Sequence, residues 1–201
     1  MTKRFDVVAV GDINVDLILS GVAGMPSAGR EVLAEGRKLL LGGSTANFAC
    51  CCARLGLKTA ILGKVGGDPM GKLCLESLRK CGVNAAAVRI APDEQTGITV
   101  SVSGADRGFI THLGTNGTFG RRDVDMGTLR AARHVHLGGF FLTQALRPDA
   151  RRVLETAGTA GATTSLDTGW DPDDQWVGVK DALKAVDVFL PNEAEAERIT
   201  G

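Results

Sequence analysis

Three stretches of the sequence carry polar residues of the types that bind and activate small molecules. The first is GDINVDLI, residues 11–18, where an apolar run ends and Asp12, Asn14 and Asp16 follow. Ligands of open α/β sheets bind beyond the carboxyl ends of strands, where such side chains can hydrogen-bond hydroxyl groups. Asn and Asp are also common in ordinary turns. The pattern alone therefore leaves ligand contact and turn formation both open.

The second stretch is LLLGGSTANFA, residues 39–49, where Gly42 and Gly43 precede a predicted helix. Glycines let a ligand approach the backbone closely, and the first N–H groups of a helix have no partner inside it. Asn47 lies in the first helical turn and can reach the same place. Alternatively, the two glycines form a tight turn and Ser44 caps the helix, and both interpretations can hold together.

The third stretch is LPNEAEAERITG, residues 190–201, where Asn192 is followed three residues later by Glu195. This spacing resembles a capping box, with Asn in place of Ser or Thr. Helix capping explains both residues locally. A further role in binding phosphate and metal depends on what the rest of the chain places beside them. Gly201 is a typical helix stop, so the predicted helix ends there.

A fourth stretch imitates a phosphate-binding loop. Residues 66–72 spell G-x-x-x-x-G-K, but Leu73 stands where the motif needs Ser or Thr. Asp68 and Pro69 are a typical helix start, which predicts that Gly71 lies inside a helix rather than a loop. No G-x-G-x-x-G follows the first predicted strand, so a dinucleotide-dependent oxidoreductase is disfavoured.

The histidines and cysteines are predicted to be structural. His134 and His136 alternate on a predicted strand, and spacing places no nucleophile or carboxylate beside them. The cysteines are odd in number and show no C-x-x-C spacing, which argues against disulfides and zinc. We expect small buried thiols in a reducing compartment; they are Cys50, Cys51, Cys52, Cys74 and Cys81.

Composition excludes several classes of partner. The 201 residues are 44% hydrophobic, which is enough for a real core. The 23 basic and 23 acidic residues give a formal net charge of zero, so no basic footprint for nucleic acid is predicted. No apolar run reaches the roughly 18 residues of a membrane span. The N-terminal run has the pattern of a first strand and not of a signal peptide, so we predict a cytoplasmic protein.

Strand and helix patterns alternate along the chain. Such alternation predicts an α/β sandwich with right-handed crossovers, in one domain over residues 1–201. Short apolar runs typical of parallel strands buried on both faces cover residues 5–11, 59–65, 85–90, 134–138, 162–167 and 186–190. Helical patterns begin near Ser44, at Asp68-Pro69 and at Pro148.

Two segments depart from this alternation, approximately 15–41 and 97–113. The second reads ITVSVS-GADRG-FITHL, two alternating runs around a turn, which predicts a hairpin. Together the segments predict a small antiparallel sheet outside the main one. Such a sheet can serve as a lid over a pocket or, through its edges, as a dimer surface.

Taken in order, GDINVDLI, the stretch from Gly42 to Gly71 and PNEAEAERITG resemble the ribokinase-like, or PfkB, family of carbohydrate kinases. HLGGFFL and LDTGWDP also resemble family segments. The resemblance implies a Rossmann-type α/β sandwich with a small β lid. It also implies transfer of the γ-phosphoryl group of ATP to a hydroxyl of a sugar or nucleoside, with Mg²⁺.

The resemblance implies roles for particular residues. Asn14 and Asp16 would hold the acceptor hydroxyls, and Gly42, Gly43 and Asn47 would line the same pocket. Asn192 and Glu195 match the family motif N-x-x-E, which serves the phosphate and magnesium region, with Glu195 acting through water. Several relatives carry Lys where this chain has Ser44, which favours an acceptor without phosphate. Dimers formed through the lid are common in the family.

The sequence departs from the family in one large way. The family's second motif, D-T-x-G-A-G-D, supplies the catalytic base and the anion hole, and residues 1–201 do not contain it. DTGW at Asp167 is not that motif, because no G-A-G-D follows. The resemblance therefore implies no catalytic base among these residues, and places the family's base Asp beyond Gly201.

Loss of the base and the anion hole has a functional consequence. Phosphoryl transfer depends on positioning and charge stabilisation, so we expect the 201-residue chain to be inactive as a kinase. The alternative is a non-catalytic sugar-binding or regulatory module.

Overall fold

A computed structural model describes residues 3–104 and 107–201, with only the backbone of Arg107. Two residues of the predicted hairpin turn, Ala105 and Asp106, lie outside the described residues. Among the described helices, none combines the length and apolar character needed to cross a membrane.

The main sheet has five parallel strands in the order β11-β10-β9-β1-β4. These strands are β1 (Phe5–Val10), β4 (Thr59–Leu62), β9 (Ala132–Leu137), β10 (Thr163–Leu166) and β11 (Val188–Phe189). Val8, Val10 and Leu62 pack into one hydrophobic core, whereas Ala9 and Ile61 pack into another. β1 and β4 are thus buried on both faces, which explains their nearly continuous apolar sequence.

Helices cover both faces of this sheet. α1 (Ser44–Arg54) and α2 (Pro69–Lys80) contribute to one core, and α5 (Ala150–Thr159) to the other. The remaining helices are short, namely α3 (Thr115–Thr118), α4 (Met126–Arg130), α6 (Val179–Ala182) and α7 (Glu193–Thr200). Three 3₁₀ turns cover Arg121–Asp123, Arg147–Asp149 and Leu183–Ala185. The predicted α/β sandwich is confirmed.

A second sheet, here called the lid sheet, has four strands in the order β3-β2-β7-β8. Its strands are β2 (Asn14–Ser20), β3 (Gly36–Gly42), β7 (Gly97–Ser103) and β8 (Arg107–His112). The hairpin of β7 and β8 is antiparallel as predicted, and so is the pair β2 and β3. The prediction of an antiparallel lid is nevertheless wrong, because β2 and β7 pair in parallel and make the sheet mixed. Pairing between the two segments has no local sequence signal.

Two predicted runs lie partly or wholly outside the main sheet, and β11 is shorter than the predicted run 186–190. The run 59–65 is interrupted at Gly63 and continues as β5 (Lys64–Gly66). A Cβ at Gly63 would lie 2.8 Å from the Gly11 carbonyl oxygen, so the break between β4 and β5 requires a glycine. Of the run 85–90, only its end joins β6 (Arg89–Ala91), which pairs with β5 in a separate two-stranded sheet.

The cysteine prediction is partly wrong. All five thiols are free, and Cys50, Cys52 and Cys74 are buried as expected. Cys51 is exposed and Cys81 is half-buried. Consecutive residues of a helix point about 100° apart, so three neighbouring cysteines on α1 cannot all face the core.

His134 and His136 join β9 to β10 through one hydroxyl. The Ser165 hydroxyl lies 2.7 Å from His134 Nε2 and 2.8 Å from His136 Nδ1, and the ring of Phe48 stacks on His136. Spacing in the sequence did not reveal Ser165, which lies on a neighbouring strand. Burial, and then the charge of His134, lowers the pKa of His136 from 6.5 to about 4.

This pKa predicts that acid destabilises the fold through His136. A histidine whose folded pKa is depressed stabilises the fold above its unfolded pKa, and that contribution is lost as pH falls from 6.5 towards 4. The loss is about 3 kcal/mol. Urea unfolding at pH 7, 5.5 and 4 should show a shallower pH dependence for His136→Gln than for the unchanged protein. Exposed His112→Gln is the control, and parallel profiles for His136→Gln and the unchanged protein would refute the prediction.

Candidate active site

Asp12 holds the start of α1 at the carboxyl end of β1. Its side chain is 1% exposed. It accepts hydrogen bonds from the backbone N–H groups of Ser44 and Thr45 at 2.9 and 3.0 Å, and from their hydroxyls at 3.3 and 2.6 Å. The N-cap position is Gly43, and Ser44 makes no capping bond of its own. The expectation that Ser44 caps the helix is therefore wrong, because a carboxylate 32 residues away does so.

Asn14 and Asp16 stand side by side on β2. Asn14 is buried, Asp16 is half-buried, and Asn14 Nδ2 donates to Asp16 Oδ1 at 2.9 Å. Burial raises the pKa of Asp16, the bond from Asn14 lowers it, and the charge of Asp12 raises it again. The net effect is a raised pKa, so this carboxylate is poorly solvated and well suited to accept hydroxyl hydrogen bonds.

The two glycines are required by close approaches. A side chain at Gly42 would overlap the carboxylate of Asp16. Gly43 has φ +96°, and a Cβ there would lie 2.7 Å from the Asp12 carbonyl oxygen and 3.0 Å from Asn14 Oδ1. Asn47, one turn into α1, is exposed, and its N–H donates to the Gly43 carbonyl at 2.9 Å.

These elements enclose a cavity of about 320 Å³. Four predicted site residues line it, namely Asn14, Asp16, Gly43 and Asn47, whereas Gly42 lies behind Asp16 and is not part of the wall. Seven further residues complete the wall. Asp12 and Ser44 belong to the stretches that the sequence analysis singled out, and the other five were not selected from sequence: Thr99, Gly139, Leu142, Gly169 and Trp170. Thr99 pairs with Asp16 in the register of β2 and β7, while Gly139, Leu142, Gly169 and Trp170 follow strands β9 and β10. To find these residues from the sequence, one would have needed the strand ends and the pairing of the lid strands.

A larger cleft of about 700 Å³ lies elsewhere, beside α4 and α5. It is lined mainly by exposed side chains, including Arg121, Arg130 and Arg152. The predicted site residues all lie outside its lining. The smaller cavity is the better candidate because polar groups from several strands converge there.

Asn192 and Glu195 form the capping box that their spacing predicts. Glu195 N–H donates to Asn192 Oδ1 at 2.9 Å, and the Asn192 backbone N–H donates to Glu195 Oε2 at 3.1 Å. Asn192 Nδ2 also donates to Glu195 Oε1 at 2.7 Å. Glu195 is 5% exposed, and its pKa is raised by burial first, lowered by the Asn192 N–H, and raised by the charge of Asp167.

Gly201 follows the helix that this capping box begins. It is the C-cap residue of α7, with φ +96°, and its N–H donates to the Glu197 carbonyl at 3.0 Å. Gly201 is exposed and is not part of the cavity wall. The role of Gly201 as a helix stop stays a prediction. The position of the family's base Asp beyond Gly201 stays a prediction.

Asp167 connects the two groups of site residues. It directly follows β10, and its Oδ1 accepts the Gly169 N–H at 3.0 Å. Burial raises the pKa of Asp167, and the charge of Asp12 raises it further, while hydrogen bonds from Gly169 and Ser44 oppose the shift. Asp12, Asp167 and Glu195 thus follow β1, β10 and β11 at one edge of the sheet. The sequence analysis assigned no role to Asp167, although this residue directly follows a buried strand.

The carboxylates at this edge of the sheet fit a magnesium site in which water and substrate phosphates supply most of the ligands. No group of three or more His, Cys, Asp or Glu side chains in residues 3–104 and 107–201 could hold a metal by itself. Glu195 is buried and Asp167 half-buried, and a cation would relieve the repulsion between their charges. Mg²⁺ is often bound by one or two carboxylates together with water and substrate phosphates, so Glu195 and Asp167 are the residues that would hold it.

Comparison with known proteins identifies the family. The model of the pfkB family of carbohydrate kinases matches residues 4–201. The chain belongs to the PfkB family. Residues 66–72 are not a phosphate-binding loop, since Asp68 accepts the Gly71 N–H at 2.7 Å and Gly71 lies within α2.

Two curated PfkB relatives illustrate the range of functions. An ATP-dependent ribose-1-phosphate kinase from Halopiger xanaduensis is 34% identical over 94% of this chain and 62% of its own length. A ribokinase from Arabidopsis thaliana is 30% identical over 97% of this chain and 51% of its own length. The chain therefore spans between half and two thirds of these relatives.

Solved PfkB structures have the same fold. A PfkB protein from Polaromonas sp. JS666 gives a TM-score of 0.84 at 25% identity, over 98% of this chain and 69% of that one. Arabidopsis thaliana ribokinase complexed with ribose and ATP gives 0.80 at 28% identity, over all of this chain and 64% of that one. These matches confirm the predicted ribokinase-like architecture.

Proposed function

We propose that this chain is the acceptor-binding part of an ATP-dependent kinase that phosphorylates a hydroxyl of a sugar or nucleoside. One observation carries the proposal. The cavity containing Asn14 and Asp16 lies at the same edge of the sheet as the Asn192–Glu195 capping box. Asp167 interacts electrostatically both with Asp12 in the cavity wall and with Glu195 in the capping box. An acceptor and a polyphosphate could therefore be held side by side.

Asp16 and Asn14 are proposed to bind the hydroxyls of the acceptor. A carboxylate accepts two hydrogen bonds from a diol, and the amide can accept and donate in the same plane. Gly42 and Gly43 keep the space beside these side chains free, and Asn47 adds a polar contact from α1. Asp12 acts indirectly by fixing the start of α1 against β1.

Asn192 and Glu195 are proposed to serve the phosphate and magnesium region. Bound ATP would supply the phosphoryl group, and Mg²⁺ would offset the negative charge of the phosphates. Glu195, through water, is the proposed metal ligand, with Asp167 beside it. The capping box fixes Glu195 with two bonds from Asn192, so its carboxylate is held before any ligand arrives.

The isolated 201-residue polypeptide is proposed to bind acceptor without transferring phosphate. Residues 1–201 contain no D-T-x-G-A-G-D, and both the base and the anion hole of the family belong to that motif. Isothermal titration with a panel of sugars and nucleosides, and an ADP-release assay with the same panel, test the two parts separately. Phosphoryl transfer by this polypeptide would contradict the second part, and absence of binding to every acceptor would contradict the first.

A non-catalytic sugar-binding module is the alternative function. It shares the acceptor cavity but has no use for the Asn192–Glu195 pair beyond helix capping. Titration of Mg·ATP in the presence of a saturating acceptor separates the two. Weakening of nucleotide binding by Glu195→Gln, with an unchanged acceptor affinity, supports the kinase. A chain that binds acceptor and shows no nucleotide affinity supports the module.

The acceptor is proposed to be uncharged. Among the described residues, the cavity wall contains Asp12 and Asp16 and no Lys, Arg or His. A phosphate on the acceptor would meet these carboxylates without a compensating cation, which is unfavourable at short range. Ribose should therefore bind more tightly than ribose 1-phosphate, although the Halopiger relative is named for the latter. Tighter binding of the phosphorylated sugar would reject this part.

A homodimer through the lid sheet is also proposed. Leu40 and Phe109 are 48% and 65% exposed, and their register places both on the same face as Asp16 and Thr99. Apolar side chains exposed on one sheet face favour association with a second copy. Light scattering should show a dimer that Phe109→Lys converts to monomer. Leu55→Lys, at an exposed site on the C-terminal end of α1, is the control. A monomer in the unchanged protein contradicts the proposal.

A cytoplasmic location is consistent with five free thiols.

A further inference from the structure

Trp170 is a half-exposed aromatic side chain in the wall of the acceptor cavity. It is 49% exposed and, with Leu142, is one of only two large apolar side chains among the described residues that line this cavity. Leaving much of an indole in water forgoes the favourable burial of a large apolar surface. Such exposure beside a polar pocket indicates a surface that a ligand covers.

The loop that carries Trp170 is fixed by Asp171. This carboxylate is 1% exposed. It accepts backbone N–H groups from Asp173 at 3.1 Å, Gln175 at 3.0 Å and Trp176 at 2.6 Å. Three bonds to one buried carboxylate hold residues 171–176 in a single turn, so Trp170 stands on a rigid support.

Backbone strain is concentrated in the same loop. Asp174 and Trp176 have φ of 51° and 53°, in the left-handed region that residues with side chains rarely adopt. Trp176 Nε1 donates to Asp174 Oδ1 at 2.8 Å, which holds the two strained residues together. Strain of this kind costs about 1–3 kcal/mol per residue and is concentrated at ligand sites. Here it places Trp176 behind Trp170.

A series of edge-to-face aromatic contacts connects Trp170 to the core. The centroids of Trp170 and Trp176 are 5.2 Å apart at 88°, and those of Trp176 and Phe141 are 5.3 Å apart at 84°. Phe141 in turn packs against Phe140 at 5.1 Å, and both phenylalanines are fully buried. The orientation of Trp170 is thus set from the core outward, and ordering it on ligand binding costs little entropy.

We propose that Trp170 is a specificity-determining residue that stacks on an apolar ring face of the acceptor. The proposal rests on the proposed function, in which Asn14 and Asp16 bind the acceptor hydroxyls. An indole offers a flat apolar surface, and the other lining side chains except Leu142 are small or polar. The C–H face of a sugar ring and the base of a nucleoside present the same chemistry to it.

The experiment uses the Trp170 fluorescence as a local probe. The chain has two tryptophans, so Trp176→Phe leaves Trp170 as the single emitter. Ribose, fructose and adenosine are titrated, and each affinity is confirmed by calorimetry. The same ligands are titrated by calorimetry into Trp170→Ala, Trp170→Phe and, as a matched control in the same loop, Val177→Ala, whose side chain is 65% exposed.

Binding should change the Trp170 emission, and Trp170→Ala should weaken binding by about 10- to 100-fold. Trp170→Phe should recover most of that loss, and Val177→Ala should leave affinity unchanged. If Trp170→Ala loses more affinity for adenosine than for ribose, Trp170 stacks on the base of a nucleoside. If the loss of affinity is similar or larger for the free sugars, Trp170 stacks on the C–H face of the sugar ring.

Two negative results have different meanings. If the unchanged protein binds a probe and Trp170→Ala binds it equally well, the role of Trp170 is overturned while the proposed function stands. If the unchanged protein binds neither these three probes nor any other acceptor of the panel by calorimetry, the proposed function fails and this inference fails with it. Circular dichroism of each variant confirms that affinity is compared between folded proteins.

Discussion

Replacing Asp16 with alanine is expected to weaken acceptor binding at least about 100-fold and to leave the fold intact. Hydrogen bonds to a charged group contribute about 1.5–3 kcal/mol each. Losing two of them costs about 3 kcal/mol or more, and each 1.4 kcal/mol is about tenfold in affinity. Isothermal titration with the best acceptor of the panel measures the effect.

Stability should fall only modestly with this loss of affinity. Burial raises the pKa of Asp16, so its charge does not stabilise the folded state, but Asp16→Ala leaves the buried Asn14 amide without its acceptor, which should cost about 1–3 kcal/mol in urea. Asp16→Asn keeps the shape and removes the charge, and should recover only part of the affinity. Asp93→Ala, at an exposed carboxylate outside the cavity, is the matched control. Unchanged affinity in Asp16→Ala would remove Asp16 from the site.

Replacing Gly43 with alanine is expected to destabilise the fold by about 3 kcal/mol. A side chain at φ +96° is strained, and its Cβ would lie 2.7 Å from the buried Asp12 carbonyl oxygen. The same Cβ would lie 3.0 Å from Asn14 Oδ1, so acceptor affinity should fall as well. In a domain of this size the midpoint of thermal unfolding should fall by about 6–12 °C.

Gly158→Ala is the matched control for Gly43→Ala. Gly158 lies in α5, its φ is not positive, and nothing lies within 4 Å of a Cβ built there. Replacing a helical glycine with alanine should stabilise the fold by about 0.5–1 kcal/mol. Opposite signs for the two variants would show that backbone geometry decides the effect. Equal stability of Gly43→Ala and the unchanged protein would contradict the strained geometry of the α1 start.

Local patterns made part of the site predictable. The Asn192–Glu195 capping box and the Asp68-Pro69 helix start both appear as expected, because each depends on residues close together in the chain. Strands β1 and β4 were recognisable because burial on both faces demands nearly continuous apolar sequence, whereas β9 and β10 also carry His, Thr and Ser. Gly42 and Gly43 were recognisable because they precede a helix start, but only the folded structure shows which atoms lie where their side chains would be.

Tertiary contacts decided the rest. Asp12 caps α1 from another strand, Ser165 joins His134 to His136 across two strands, and β2 pairs with β7 although α1 and α2 lie between them in the chain. None of these contacts has a sequence spacing that a local pattern could reveal.

Asp167 and Trp170 became site residues only because β10 lies near β1 in the sheet and its loop turns towards the cavity. The sequence by itself determined the fold class and the residues of the local motifs. The order of the strands determined which distant carboxylates and aromatic rings face one ligand, because parallel strands bring their carboxyl ends to one edge however far apart they lie in the chain.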